Sequence, residues 1–135
     1  MKIEEFDELL IACRNLTTAQ QTSLGMEITM PVLYPNGNAV NVIVRKLHKG
    51  DYEVSDGGGG AGYLVSCGGE IDGETYDKNT ANIAKQYGCV FGGMEISRQC
   101  TFDKIAVVAA LVANASRAVG DLTMQAADKI DDNYF

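Results

Sequence analysis

Hydrophobic positions along this chain change period twice, and the changes divide it into three stretches. In the first, Ile3, Phe6, Leu10 and Cys13 recur at intervals of three and four, with Leu9 beside them. That spacing lines one side of a helix and predicts an amphipathic helix over residues 2–14 that packs on something. Glu4, Glu5, Asp7 and Glu8 crowd its first turns and Arg14 stands near its end, the order a helix dipole favours. Residues 15–22 carry neither period and are expected to form a connecting loop.

From Leu24 the period drops to two. Leu24, Met26, Ile28, Met30, Val32 and Tyr34 alternate with Gly25, Glu27, Thr29, Pro31 and Leu33, which predicts a strand with one buried face. Pro31 has no amide hydrogen for a ladder, so the strand should lie at a sheet edge or break its pairing there. Val40, Val42 and Val44 line a second strand, Tyr52 and Val54 a third. A three-residue loop Pro35-Asn36-Gly37 sets Tyr34 opposite Asn38, Val32 opposite Val40 and Met30 opposite Val42. A two-residue Asn36-Gly37 loop would set Val32 opposite Asn41 and turn one strand over. The three-residue loop is therefore expected, a type I turn closed by a left-handed glycine. His48-Lys49-Gly50 repeats it and sets Val44 opposite Val54. The result is a three-stranded meander over 24–34, 39–47 and 51–55.

The third stretch returns to helical spacing. A helix is predicted over Asp77–Tyr87, with Thr80, Ile83, Ala84 and Tyr87 on one side and Gly88 as its stop. Cys89-Val90-Phe91 and Met94-Glu95-Ile96 flank Gly92-Gly93, a two-residue hairpin signal. After Thr101, an expected N-cap, Ile105, Val108, Val112, Ala115, Val119, Leu122 and Ala126 form a narrow seam of small residues. A helix over 102–130 would be about 43 Å long against about 23 Å for a seven-residue strand. Either it bends or restarts near Gly120, or its overhang packs on a second copy, with Val108, Val112, Ala115 and Val119 as the candidate dimer seam. Residues 127–135 read as a frayed acidic tail.

These elements define an α+β class: an antiparallel sheet, built from the meander and the Gly-Gly hairpin, packed against N-terminal, middle and long C-terminal helices. At 135 residues a single domain spanning 1–135 is expected. Apolar residues make up 46% of the chain and charged residues 21%, ordinary globular usage rather than that of a disordered chain. The net charge of −7, with eleven scattered Lys and Arg residues, argues against a phosphate-binding footprint and points to a partner protein with a basic surface, not to direct nucleic-acid binding. The acidic N-terminus and the lack of a long apolar run predict a cytoplasmic protein without a signal peptide or membrane span. Cys13, Cys67, Cys89 and Cys100 form no Cys-x-x-Cys pair, and with His48 the only histidine no standard zinc set can be written. No metal or cofactor is expected.

Candidate chemistry gathers where the meander ends. Gly57, Gly59 and Gly62 satisfy Gly-x-Gly-x-x-Gly spacing after a strand. The preceding antiparallel strands and the short segment to Gly68 do not suit a dinucleotide site, and Tyr63-Leu64 stand where a P-loop needs Lys and Ser or Thr. The glycines therefore read as a flexible loop or strand terminator. Asp56 reads as a turn initiator, and His48 as a solvent-exposed loop histidine. Glu70-Ile71-Asp72-Gly73-Glu74 departs from the EF-hand pattern and reads as a solvated acidic loop. Ser55, Asp56, Gly57, Gly58, Gly59, Gly60, Tyr63, Glu70 and Asp72 are the candidates for binding a ligand or partner; no catalytic set can be assembled.

The meander ending in Val54-Ser55-Asp56-Gly57-Gly58, the helix ending Tyr87-Gly88-Cys89, the Gly-Met-Glu-Ile hairpin at 93–96 and the long C-terminal helix together resemble a group of bacterial and phage proteins catalogued only as a domain of unknown function. The resemblance implies a mobile-element context and brings no catalytic residues. It suggests a non-enzymatic protein that binds and inhibits a host protein, an anti-defence role such as blocking a CRISPR effector. The alternative is a small-molecule or nucleotide-phosphate-binding protein that uses the glycine loop.

Overall fold

The computed structural model describes residues 1–122. Its elements run α1 (Ile3–Arg14), β1 (Thr18–Thr22), β2 (Gly25–Leu33), β3 (Ala39–Lys46), β4 (Asp51–Ser55), α2 (Gly59–Ser66), α3 (Glu74–Gln86), β5 (Val90–Gly92), β6 (Glu95–Thr101), a 3₁₀ turn (Phe102–Lys104) and α4 (Ile105–Gly120). The strands form one antiparallel sheet in the order β1-β2-β3-β4-β6-β5. The fold is the expected α+β class.

Alternation of side chains across the pleat gives the sheet two unlike faces. Met30, Val40, Val42, Val44, Val54 and Ile96 are buried on one, where they meet the seam of α4. Val112, Ala113 and Ala115 are fully buried there, with Val108 and Val119 nearly so. This seam is spent inside the chain. Val108, Val112, Ala115 and Val119 pack on their own sheet, so a homodimer has to use other residues. The opposite face carries Glu27, Thr29, Asn41, Arg45, Glu53 and Gln99, and no described helix covers it.

The first three-residue hairpin forms as read; the second keeps the expected register but not the same turn, since Lys49 as well as Gly50 is left-handed (φ 51° and 83°) and Asp51 N donates to His48 O at 3.0 Å, where the first loop has Gly37 N donating to Tyr34 O at 2.9 Å. Tyr34 N donates to Asn38 O at 2.8 Å and Leu47 N to Asp51 O at 2.8 Å, Gly37 and Gly50 take positive φ, and Val44 faces Val54. The first ladder departs from expectation further along. Leu33 pairs with Ala39, but Thr29 pairs with Asn41 and Ile28 with Val42, so β2 carries two extra residues around Pro31, where a break in pairing is expected. An insertion of two preserves the pleat's parity. Met30 stays buried although Ile28, not Met30, faces Val42.

Four further expectations are corrected. Residues 15–22 do not form a loop: Thr18–Thr22 is an edge strand, silent in the hydrophobic pattern because four of its five residues are exposed. The β5–β6 turn is Gly93-Met94, not Gly92-Gly93, with φ of 59° and 69°; the shift lets Phe91 face Ile96. Thr101 ends β6 and makes no capping bond to a backbone amide, and α4 starts only after the 3₁₀ turn. α3 begins at Glu74, three residues before the expected start, although it stops at Gly88 as expected. α4 ends at Gly120; Ala126 and the tail at 127–135 lie outside the described residues. α1 forms over the expected span but buries none of its residues.

Because Val112 is fully buried against the sheet, Val112→Glu is expected to abolish cooperative folding rather than dissociate a dimer. Loss of the near-ultraviolet circular dichroism signal and of the thermal transition would show this. A folded, dissociated monomer would contradict it.

Candidate functional site

The sequence candidates at the meander's exit converge on a buried carboxylate. Asp56 is only 5% exposed, immediately after β4, and its Oδ1 accepts hydrogen bonds from the Gly58 amide at 2.9 Å and the Ile96 amide at 3.0 Å. Its Oδ2 accepts from the Gly60 amide at 3.2 Å and the Ser116 hydroxyl at 2.8 Å. The Asp56 backbone completes the junction, donating N–H to Ile96 O and accepting from Gly59 N, both at 3.0 Å. One residue thus joins β4, β6, α2 and α4. Burial of a carboxylate is tolerable when charge-assisted bonds replace its hydration, and here four donors do so.

A second layer extends from Ser116. Its hydroxyl hydrogen is committed to Asp56, so at the 2.8 Å contact with Tyr34 Oη the phenol must donate. Burial, first of all, pushes the Tyr34 hydroxyl pKa up; the Ser116 bond lowers it and the Asp56 charge raises it. The Tyr34 ring stacks on Tyr63 with centroids 4.9 Å apart and planes 7° from parallel, an arrangement worth about 0.5–1.5 kcal/mol beyond area burial.

The glycine run is not a flexible loop. Gly57 and Gly58 are left-handed (φ 62° and 79°) and turn the chain from sheet to helix. Gly59 to Ser66 are α-helical. Asp56 does initiate a turn, as read, and its carboxylate also acts as the helix's N-terminal cap, a role that favours Asp. At Gly60 a Cβ would lie 2.7 Å from Ser116 O, so the missing side chain is what lets α2 and α4 touch backbone to backbone. Gly62 lies on the open side of the helix, where a Cβ would meet nothing within 4 Å.

The chemistry of this arrangement follows from occupancy. The Gly57 amide donates to Ser55 Oγ at 3.0 Å, and those of Gly58, Gly59 and Gly60 are all taken by Asp56. A phosphate at this helix start would have to displace the carboxylate that holds it. Ser116 is fully buried, so a Tyr-Ser-Asp chain that resembles a nucleophile relay has no route to substrate. Of the candidate residues, Ser55, Asp56, Gly57, Gly58, Gly59, Gly60 and Tyr63 belong to this junction, while Glu70 and Asp72 are exposed in the turn before α3. His48 is exposed in its hairpin, as expected.

Ser116 and Tyr34 are absent from the sequence candidates. They lie 60 and 82 residues from their partners, beyond any local motif. One signal is present: Ser116 follows Val112 by four and precedes Val119 by three, which puts a hydroxyl on the seam. Comparison with family models gives no match, and comparisons with curated proteins and with solved structures give none either.

Two substitutions in α2 are expected to act in opposite directions. Gly60→Ala forces α2 off α4 and should destabilise by about 1–3 kcal/mol, whereas Gly62→Ala gains helix propensity and should stabilise by about 0.5–1 kcal/mol. Asp56→Ala leaves buried donors unpaired at about 1–3 kcal/mol each, enough to threaten folding. Urea midpoints measure all three; equal effects at Gly60 and Gly62 would refute the close contact.

Proposed function

We propose that the protein is a non-enzymatic phage or mobile-element protein that binds a basic surface of a host protein and blocks it, in the manner of an anti-defence inhibitor acting on a complex such as a CRISPR effector. The observation that carries this reading is the uncovered sheet face. Glu27, Asp51, Glu53 and Glu95 share it, and among the described residues on these strands Arg45 is its one cation. Arg45 is already engaged, at 3.4 Å from Glu53 and 3.8 Å from Glu95. The face is therefore net negative, which suits steering toward a positive groove. The mobile-element context rests on the resemblance carried by the Ser-Asp-Gly-Gly strand end and the 93–96 hairpin. No helix among the described residues is long and apolar enough to cross a membrane.

Glu27 and Asp51 make no ion pair among the described residues, so Glu27→Lys with Asp51→Lys reverses the field without breaking the Arg45 bridges. Affinity capture from host lysates is expected to recover a partner that elutes as salt is raised, since such contacts are screened beyond about 10 Å at 0.1 M. The double variant should bind it at least about tenfold more weakly, a loss of about 1.4 kcal/mol. It should also fail to restore phage plating on a host carrying the defence. Capture insensitive to both salt and substitution would refute the reading.

A further inference from the structure

On the helix-bearing face, α4 leaves the β1–β2 end of the sheet open. Two adjoining grooves there, of about 650 and 600 Å³, share Ile28, Phe102 and Ile105. Together they make a trough floored by Met26, Ile28 and Met30 and walled by Ile105, Ala106 and Ala109. Phe102, at its lip, is 73% exposed. Among the described residues, the same chain carries an unpartnered counterpart. On α1, Ile3, Phe6, Leu9 and Leu10 are 79%, 52%, 49% and 42% exposed, and with Cys13 they occupy one stripe. We propose that the occupant of the trough is helix α1 of a second copy, each copy seating its α1 in the other's trough.

Charge fixes the direction of seating. Lys46 lines one end of the trough and Asp103 the other, while α1 runs from Glu4 and Glu5 to Arg14. The acidic start of the helix therefore lies toward Lys46, and Arg14 toward Asp103. The junction to the sheet favours exchange over folding back. Asn15, Leu16 and Thr17 donate their amides to Ile11, Cys13 and Arg14 at 3.1, 3.2 and 3.4 Å, and Thr18 already belongs to β1. These bonds set the direction in which α1 leaves β1, and although Thr17 reaches the trough's edge, no residue of α1 is buried against its own chain.

The area is sufficient. Five stripe side chains burying roughly 60–120 Å² each give about 300–600 Å² per helix. A two-fold exchange seats two helices and covers two troughs, for about 1,200–2,400 Å² in total, the range of stable interfaces. The exchange uses the side of the sheet opposite the acidic face, so it goes beyond the inhibitor reading, and either can fail alone.

The test is the molar mass of the whole chain by light scattering. Twice the 14.5 kDa chain mass is expected, falling to the single-chain value in Phe6→Asp with Leu10→Asp, whose positions are exposed and whose fold circular dichroism checks. A second measurement keeps α1 intact. In a Cys67→Ser background, Ala106→Cys is expected to form an intermolecular disulfide with Cys13 on mild oxidation, seen as a reducible dimer band. A monomeric wild-type mass, a dimer indifferent to the α1 substitutions, a disulfide closed within one chain or no disulfide at all would each overturn the exchange. So would dissociation on deletion of residues 123–135 with α1 unchanged.

Discussion

Everything above the sheet depends on one buried negative charge. A carboxylate in a protein interior is costly unless its hydration is replaced, and Asp56 meets that requirement with donors drawn from three separate elements: two amides from the start of α2, one from β6 and the Ser116 hydroxyl of α4. The cost and its compensation together act as a constraint on geometry. β6, α2 and α4 can hold these bonds only at one mutual setting, so the residue that would destabilise a loosely packed structure specifies a well-packed one. The glycines follow from the same setting. Gly60 is small because Ser116 has to come close enough to bond Asp56, and the backbone of α4 comes with it.

The sheet's meander is legible in the sequence because its information is local. Period-two alternation fixes the faces, and the parity of a hairpin loop fixes which faces meet; both are decided within about ten residues. The same parity explains why the altered register at Pro31 does no damage. Two extra residues in β2 move Ile28 opposite Val42 but leave every side chain on its expected face, so Met30, Val40 and Val44 are core residues under either register. A one-residue shift would exchange core for solvent.

What stays hidden is either featureless or remote. β1 has no apolar period because no described element covers either of its faces, and Thr18-Ala19-Gln20-Gln21-Thr22 reads as loop until its ladder to β2 is seen. The glycine run misleads for a different reason. Glycine is a poor helix former in isolation, so Gly57–Gly62 reads as loop or phosphate cradle, and only tertiary structure shows that closeness to α4 outweighs propensity. The carboxylate cap that makes the helix start resemble an anion site is also what fills it. A free anion-binding amide cluster and one satisfied by a side chain two residues upstream cannot be told apart from residue spacing alone.

The two uncovered surfaces differ in kind, and the difference bears on how the molecule can be regulated. The acidic sheet face is hydrated and stable on its own; exposing Glu27 or Asp51 costs nothing. The apolar stripe of α1 and the trough beside β2 are in the opposite position, since both lose free energy in water for as long as they remain apart. A chain that carries both halves of an apolar contact, joined by a turn that leaves α1 unburied on its own chain, has a driving force toward its own copies that an acidic surface does not oppose at physiological ionic strength. Pairing through α1 would leave two acidic faces available on one particle, and a bivalent particle engages a repeated or two-lobed basic target more tightly than either face alone. Assembly and inhibition would then be separable in sequence, the first residing in residues 3–13 and 102–109 and the second in the strand positions that point the other way.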